Sequence, residues 1–191
     1  MIDSECELKA AAYELRRLYA PALVSLEKLA DRVRAWVVLD NAGAPLAAEL
    51  TLEARSLVDG SLLARKLGSA QIAVGERCVV LEMETGGFDP ETTLLLAELS
   101  GVSTFRLLAE PKQARFATPE LLASIEGNEL SIQSDLPVVD LYLWDAEAEL
   151  SLSDNFVTLA GGGARRRIGF RGTPRRLSAR SLAGRHTLRF A

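Results

Sequence analysis

Between Glu5 and Tyr19 apolar side chains recur every three or four positions: Leu8, Ala11, Ala12, Leu15, Leu18 and Tyr19. That spacing predicts an amphipathic helix, because residues three and four apart share one helical face. Arg16 and Arg17 fall in its last turns, where cations complement the carbonyl end of the helix dipole. Pro21 ends it by driving the preceding residue toward an extended conformation. An apolar stripe of this kind needs a covering partner.

Beyond Pro21 the period changes from 3.6 to 2. Val33, Ala35, Val37 and Leu39 alternate with Arg34, Trp36 and Val38, which predicts a strand over Arg32 to Leu39. From Leu46 to Leu57, Leu46, Ala48, Leu50, Leu52 and Ala54 oppose Ala47, Glu49, Thr51, Glu53 and Arg55. In Arg77 to Glu84, Cys78, Val80 and Glu82 oppose Val79, Leu81 and Met83. Thr93 to Leu99 and Ser103 to Ala109 complete a first set. Turn residues separate the runs: Asp40-Asn41-Ala42-Gly43, Asp59-Gly60, Gly75, Gly86-Gly87 and Gly101. Asp59-Gly60 suits a tight turn, since glycine takes positive φ at little cost.

A second set follows Glu110-Pro111. Pro119 to Ser124 reads as a brief turn or helical piece. Strands are then expected at Glu129–Ser134, Val138–Trp144, Ala148–Leu152, Phe156–Leu159, Arg166–Arg171, Arg176–Leu182 and Thr187–Phe190. Short antiparallel strands at this density predict an all-β chain of two immunoglobulin-like sandwiches in tandem after one short helix. The expected divisions are a helix over 1–20, a first sandwich over 21–110 and a smaller one over 111–191. Charge divides the same way: residues 1–110 hold 11 cations and 17 acids, and residues 111–191 hold 11 and 9.

Composition narrows the function. With 48% hydrophobic and 25% charged residues and a net charge of -4, the 191-residue chain has ample material for a core and is not disordered. No apolar run reaches the roughly 18 residues of a membrane span, and Met1 to Ala12 lacks a signal-peptide core. Cys6 and Cys78 are too few for a disulfide framework, so a cytoplasmic location is expected. They are also too few for a zinc site beside a single histidine, His186, and no metal or cofactor is expected. Cys78 reads as a core residue and Cys6 as an exposed thiol.

Several clusters invite chemistry. Glu82 with Glu84, and Glu147 with Glu149, would each sit two apart on a strand, roughly 7 Å between carboxylates, a spacing compatible with hydrolysis. Alternate glutamates equally mark the wet face of a half-buried strand. His186 could act with Ser178 or Ser181 and Asp154, although no G-x-S-x-G elbow accompanies them. Gly161-Gly162-Gly163 lacks the G-K-[ST] ending of a phosphate loop and reads as a flexible turn. Nine arginines and no acid occupy residues 160–191. They suggest a basic face, yet aromatics are only 6% and no platform for single-stranded nucleic acid is evident. Trp36, Tyr142 and Trp144, with Phe170, could line a sugar-binding surface or pack in a core.

Two segments resemble a known family. Tyr19-Ala20-Pro21-Ala22-Leu23-Val24-Ser25-Leu26-Glu27, followed by Arg32-Val33-Arg34-Ala35-Trp36-Val37-Val38, is similar to the stretch after the catalytic barrel in β-mannosidase-like members of glycoside hydrolase family 2. Leu152-Ser153-Asp154-Asn155-Phe156-Val157-Thr158-Leu159-Ala160-Gly161 resembles the strand and turn of that family's last immunoglobulin-like domain. Thr158 replaces the usual acid there, and Gly162 and Gly163 lengthen the turn. The resemblance implies non-catalytic, C-terminal accessory domains of a larger retaining hydrolase, with the helix as the last one of the barrel. Both catalytic glutamates would then lie upstream, in the barrel that is this region's expected partner. Two other functions remain open: a carbohydrate-binding module for β-mannosides, using Trp36, Tyr142 and Trp144, and, less favoured, a basic-face binder of nucleic acid. No nucleic acid or membrane partner is expected.

Overall fold

The computed structural model describes residues 8–40 and 45–190, except for the side chain of Ala48. Cys6 and the Asn41–Gly43 part of the first turn lie outside the described residues. Among the described residues the chain is all-β apart from one helix, α1 (Ala10–Leu18). It divides into two compact units: Arg16–Ser56 with Ser61–Arg115, and Met1–Leu15 with Leu57–Gly60 and Phe116–Ala191.

The first sandwich uses, in chain order, β1 (Ala22–Lys28), β2 (Arg32–Leu39), β3 (Leu46–Ser56), β4 (Leu62–Ile72), β5 (Arg77–Glu84), β6 (Thr93–Leu99) and β7 (Val102–Leu107). One sheet runs β1-β2-β5 and the other β4-β3-β6-β7, with every pairing antiparallel. Strand β4 thus belongs with β3, rather than with the β1-β2-β5 sheet as in a constant-type immunoglobulin domain. Val33, Ala35, Val37, Leu50, Leu52 and Ala54 are fully buried in the core between the sheets, as their alternation requires.

Two expectations change here. The alternation of β5 breaks at a bulge, where Ala35 pairs with Leu81 and Trp36 with Val79. The extra residue shifts the phase, so Cys78 and Val80 face the core before the bulge, and Leu81 and Met83 after it. Strand β4 was not legible as a strand. Its inward positions are Ala64, Lys66, Gly68 and Ala70 before the buried Ile72, too small or polar to show a hydrophobic period.

The second sandwich contains β8 (Leu121–Glu126), β9 (Glu129–Ser134), β10 (Val138–Asp145), β11 (Ser151–Leu152), β12 (Val157–Leu159), β13 (Arg165–Arg171), β14 (Leu177–Ser181), β15 (Gly184–His186) and β16 (Leu188–Phe190). Its sheets run β11-β13-β9-β8-β16 and β12-β10-β14-β15. Residues 119–124 do not form a turn or helix. Leu121 and Ala123 enter the core while Leu122 is 42% exposed, a period of 2 that makes β8 a strand. After His186 the chain changes sheets, and β16 runs parallel to β8 beside antiparallel pairings elsewhere. Asp59-Gly60 turns as expected, with Gly60 at φ 72°.

The helix departs from its pattern. Tyr13, absent from the apolar stripe, is the buried residue, while Leu8, Leu18 and Tyr19 are 39%, 48% and 83% exposed. Tyr13 stands two positions from Ala11 and Leu15, roughly 200° around the helix at about 100° per residue. Its hydroxyl donates to the Leu152 carbonyl at 3.5 Å, and its ring meets Phe156. Tertiary contact, not the stripe, chooses the buried face.

Candidate functional site

Strand β10 alternates Leu141 and Leu143, both in the core, with Tyr142 and Trp144, which the pleat sends to the outer face of the sheet. The Tyr142 and Trp144 rings stack at 5.2 Å and 13°. Phe156 stacks on Tyr142 at 4.8 Å and 19°, and Tyr13 tilts against Phe156 at 6.1 Å and 47°. Two near-parallel rings cannot share one face of a third, so both faces of Tyr142 are covered by protein. Of this pair, Trp144 is the one with a ring face that no second ring stacks on among the described residues. Phe156 and Tyr13 were not visible as site residues from sequence. Phe156 reaches the row from a positive φ of 53°, a conformation its sequence does not announce.

The remaining aromatic candidates go elsewhere. Trp36 belongs to the first sandwich, opposite Ser25 and Val79 on the outer face of its sheet, and its Nε1 donates to Glu27 Oε2 at 2.8 Å. Phe170 is 7% exposed and sits in the second core with Leu141 and Ile168, so it cannot line a surface.

Neither glutamate pair is set for acid–base work. Glu82 accepts from Arg34 Nε at 2.6 Å, and Arg32 lies 3.5 Å from Glu82 and 4.0 Å from Glu84. The hydrogen bond from Arg34 holds the Glu82 carboxyl below its ordinary range, opposite to what a general acid requires. Glu147 and Glu149 precede β11 in a connecting segment rather than a strand, so the expected two-apart spacing on one face does not arise. Glu147 is 3.4 Å from Arg176.

His186 Nε2 lies 2.6 Å from Ser181 Oγ, which also accepts from the Ala183 amide at 3.1 Å. Ser181 is 7% exposed, and His186 Nδ1 is buried without a hydrogen-bond partner. Burial pushes the imidazole pKa down and favours the neutral ring. Asp154, the acid considered for this group, is bonded to Arg166 at 2.8 Å. Among the described residues the Ser–His pair thus has no acid bonded to His186, and Ser181 is buried.

The triple glycine is a structural turn. Gly161, Gly162 and Gly163 all have positive φ. The Gly162 amide donates to Asp135 O at 2.6 Å and the Gly163 amide to Ser134 O at 2.9 Å, leaving neither for a phosphate.

Residues of the second family-like segment all have structural work. Asn155, 4% exposed, accepts from the Leu143 amide at 2.9 Å and donates to the Leu143 carbonyl at 2.8 Å. Its side chain acts as a ladder partner for β10 where no strand does. Asn155 Oδ1 also accepts from the Phe156 amide, and the Phe156 ring joins the aromatic row. Nearby, burial opposes the charge on Asp145. Amides of Glu147, Arg175, Arg176 and Ala148 outweigh it and hold the carboxyl below its usual range.

The arginines do not form one face. Arg180 and Arg185 share the outer face with Tyr142, while Arg165, Arg167 and Arg171 are exposed on β13 of the other sheet. Arg166, Arg167, Arg176 and Arg189 are ion-paired with Asp154, Glu129, Glu147 and Glu120. Among the described residues no group of three or more His, Cys, Asp or Glu could hold a metal ion. No described helix is long and apolar enough to cross a membrane.

Two β-sandwiches with a short helix define the fold class of the described residues. No family model matches the chain, and no curated protein does. Among solved structures it is similar to the crystal structure of a β-D-mannosidase from Dictyoglomus thermophilum, with a TM-score of 0.80 at 16% identity. The match covers 100% of this chain and 24% of that one. The fold is shared over the whole chain, which spans about a quarter of the matched enzyme.

Proposed function

We propose that this chain is a non-catalytic accessory region of a larger glycoside hydrolase of the β-mannosidase type, the parent enzyme removing terminal β-mannosyl residues. Its work is to brace the catalytic barrel of the same polypeptide and shape the surround of the active site. The observation that carries this reading is the fate of the Leu152–Gly161 segment. Asp154, Asn155 and Phe156 are spent on an ion pair, a strand mimic and a ring stack. The whole-chain fold likeness to part of a β-mannosidase supports the same reading.

The purified chain should release no nitrophenol from 4-nitrophenyl β-D-mannoside above the uncatalysed rate. Saturable turnover that survives repeated purification would contradict the proposal. A second reading, sugar binding, keeps one supporting feature in the outward face of Trp144. Quenching of tryptophan fluorescence by manno-oligosaccharides, lost in Trp144→Ala and retained in Trp36→Ala, would favour it.

A further inference from the structure

The first sandwich leaves one long edge open. Strand β4 spans Leu62–Ile72 and pairs only with β3 in its sheet. Its outer face carries Leu67, 65% exposed, while Leu63 is the bulged residue that the register with β3 skips between Ala64 and Leu62. Long apolar edges are usually blunted, because their free backbone groups accept another strand. Here the residues beside the edge are also unevenly matched. Glu53 already bonds Arg55 at 2.7 Å and shares Arg65 at 3.5 Å. Glu49, beyond Thr51 on the same face of β3, is exposed, and among the described residues no cation is ion-paired with it. A shallow depression lined by Glu49, Ser69 and Gln71 lies at this end of the face.

The geometry points to this edge as a two-fold interface between two copies of the chain, β4 adding antiparallel to β4 about Leu67. In a perpendicular two-fold, facing residues must share a side of the sheet, and their numbers must sum to a constant. Centring on Leu67 sets it against its own mate and Arg65 against Ser69. The known register places Ser69 beside Glu49. Arg65 of one copy then reaches across a small serine to Glu49 of the other, about 10 Å away or two strand spacings. Arg65 would cover the depression. Centring on Arg65 or Lys66 instead would set like charges face to face, and centring on Gly68 would leave Leu67 without an apolar mate. One register thus uses the exposed Leu67, the unmatched Glu49 and the depression together.

Sedimentation velocity on the full chain from about 1 to about 200 µM tests it. A reversible dimer is expected, weakened at least tenfold in Leu67→Lys, whose thermal unfolding should match the parent because the site is exposed. Glu49→Lys and Arg65→Glu should each weaken association, and the double variant should regain it. A monomer across the range overturns the inference. So does a dimer that Leu67→Lys leaves intact, or one that the double charge reversal fails to restore.

Discussion

Asn155→Ala should destabilise the second sandwich by about 4 kcal/mol, because each buried backbone group left without a partner costs roughly 1–3 kcal/mol. Two such groups are stranded, the amide and the carbonyl of Leu143, and both lie in a strand whose side chains form the core. The Phe156 amide loses its acceptor as well. In a domain of this size that corresponds to a fall in melting temperature of about 20 °C. Asn155→Asp should be no milder, since it keeps the acceptor but sets a buried carboxylate against the Leu143 carbonyl. Thermal unfolding followed by circular dichroism reads both. A loss below about 1 kcal/mol for Asn155→Ala would mean that water or a shifted strand takes over, and the strand-mimic role would fall.

Gly161→Ala is the second large effect. Gly161 has φ +77°, and a Cβ there would lie 2.6 Å from the Leu136 carbonyl carbon and 2.7 Å from Pro137 N. Left-handed backbone alone costs an L-residue about 1–2 kcal/mol. The neighbouring atoms are main chain and cannot swing aside, so the total should exceed about 3 kcal/mol, the range of overpacking. Gly127→Ala separates the two contributions. Its φ is +57° with nothing within 4 Å of the added carbon, so only the backbone cost of about 1 kcal/mol should appear. Equal losses at the two positions would show that the approach to Leu136 and Pro137 is looser than the geometry indicates.

Where one side of a strand meets the core, the alternation in the sequence was sufficient. Val33, Ala35, Val37 and Leu39 are all buried as their parity requires. Phe170, offered as a surface candidate, shares parity with Ile168 and not with the exposed Arg167 and Arg171, and it is buried accordingly. The pattern fails where a residue count or a tertiary contact intervenes. In β5 one bulged residue reverses the alternation, which no local preference announces. In β4 the side chain of Leu81 leaves no room for a Cβ at Gly68, and Lys66 donates to the Glu82 carbonyl at 2.7 Å, so the hydrophobic period disappears. In α1 the stripe marks an amphipathic helix correctly, but Tyr13 finds Phe156 and buries the other side.

The candidate site shows the same division. Placing Tyr142 and Trp144 two apart on one strand puts them on one face, as observed. That Phe156 would cover the second face of Tyr142 depends on a turn 14 residues away, closed by the Asn155 side chain. Ser181 and His186 meet because β14 and β15 pair as a hairpin, with Ala179 opposite His186 and Ser181 opposite Gly184. Burial of the Ser181 hydroxyl follows from three-dimensional packing and has no local signature.

The central claim is that this region works inside a larger glycosidase. Its most direct test is the mass of the native polypeptide in its source cells, read by immunoblot with an antibody raised against this chain. A single band about four times heavier than 20.7 kDa is expected, because the chain spans 24% of the matched β-mannosidase. A native band at 20.7 kDa, with no heavier species, would contradict the account.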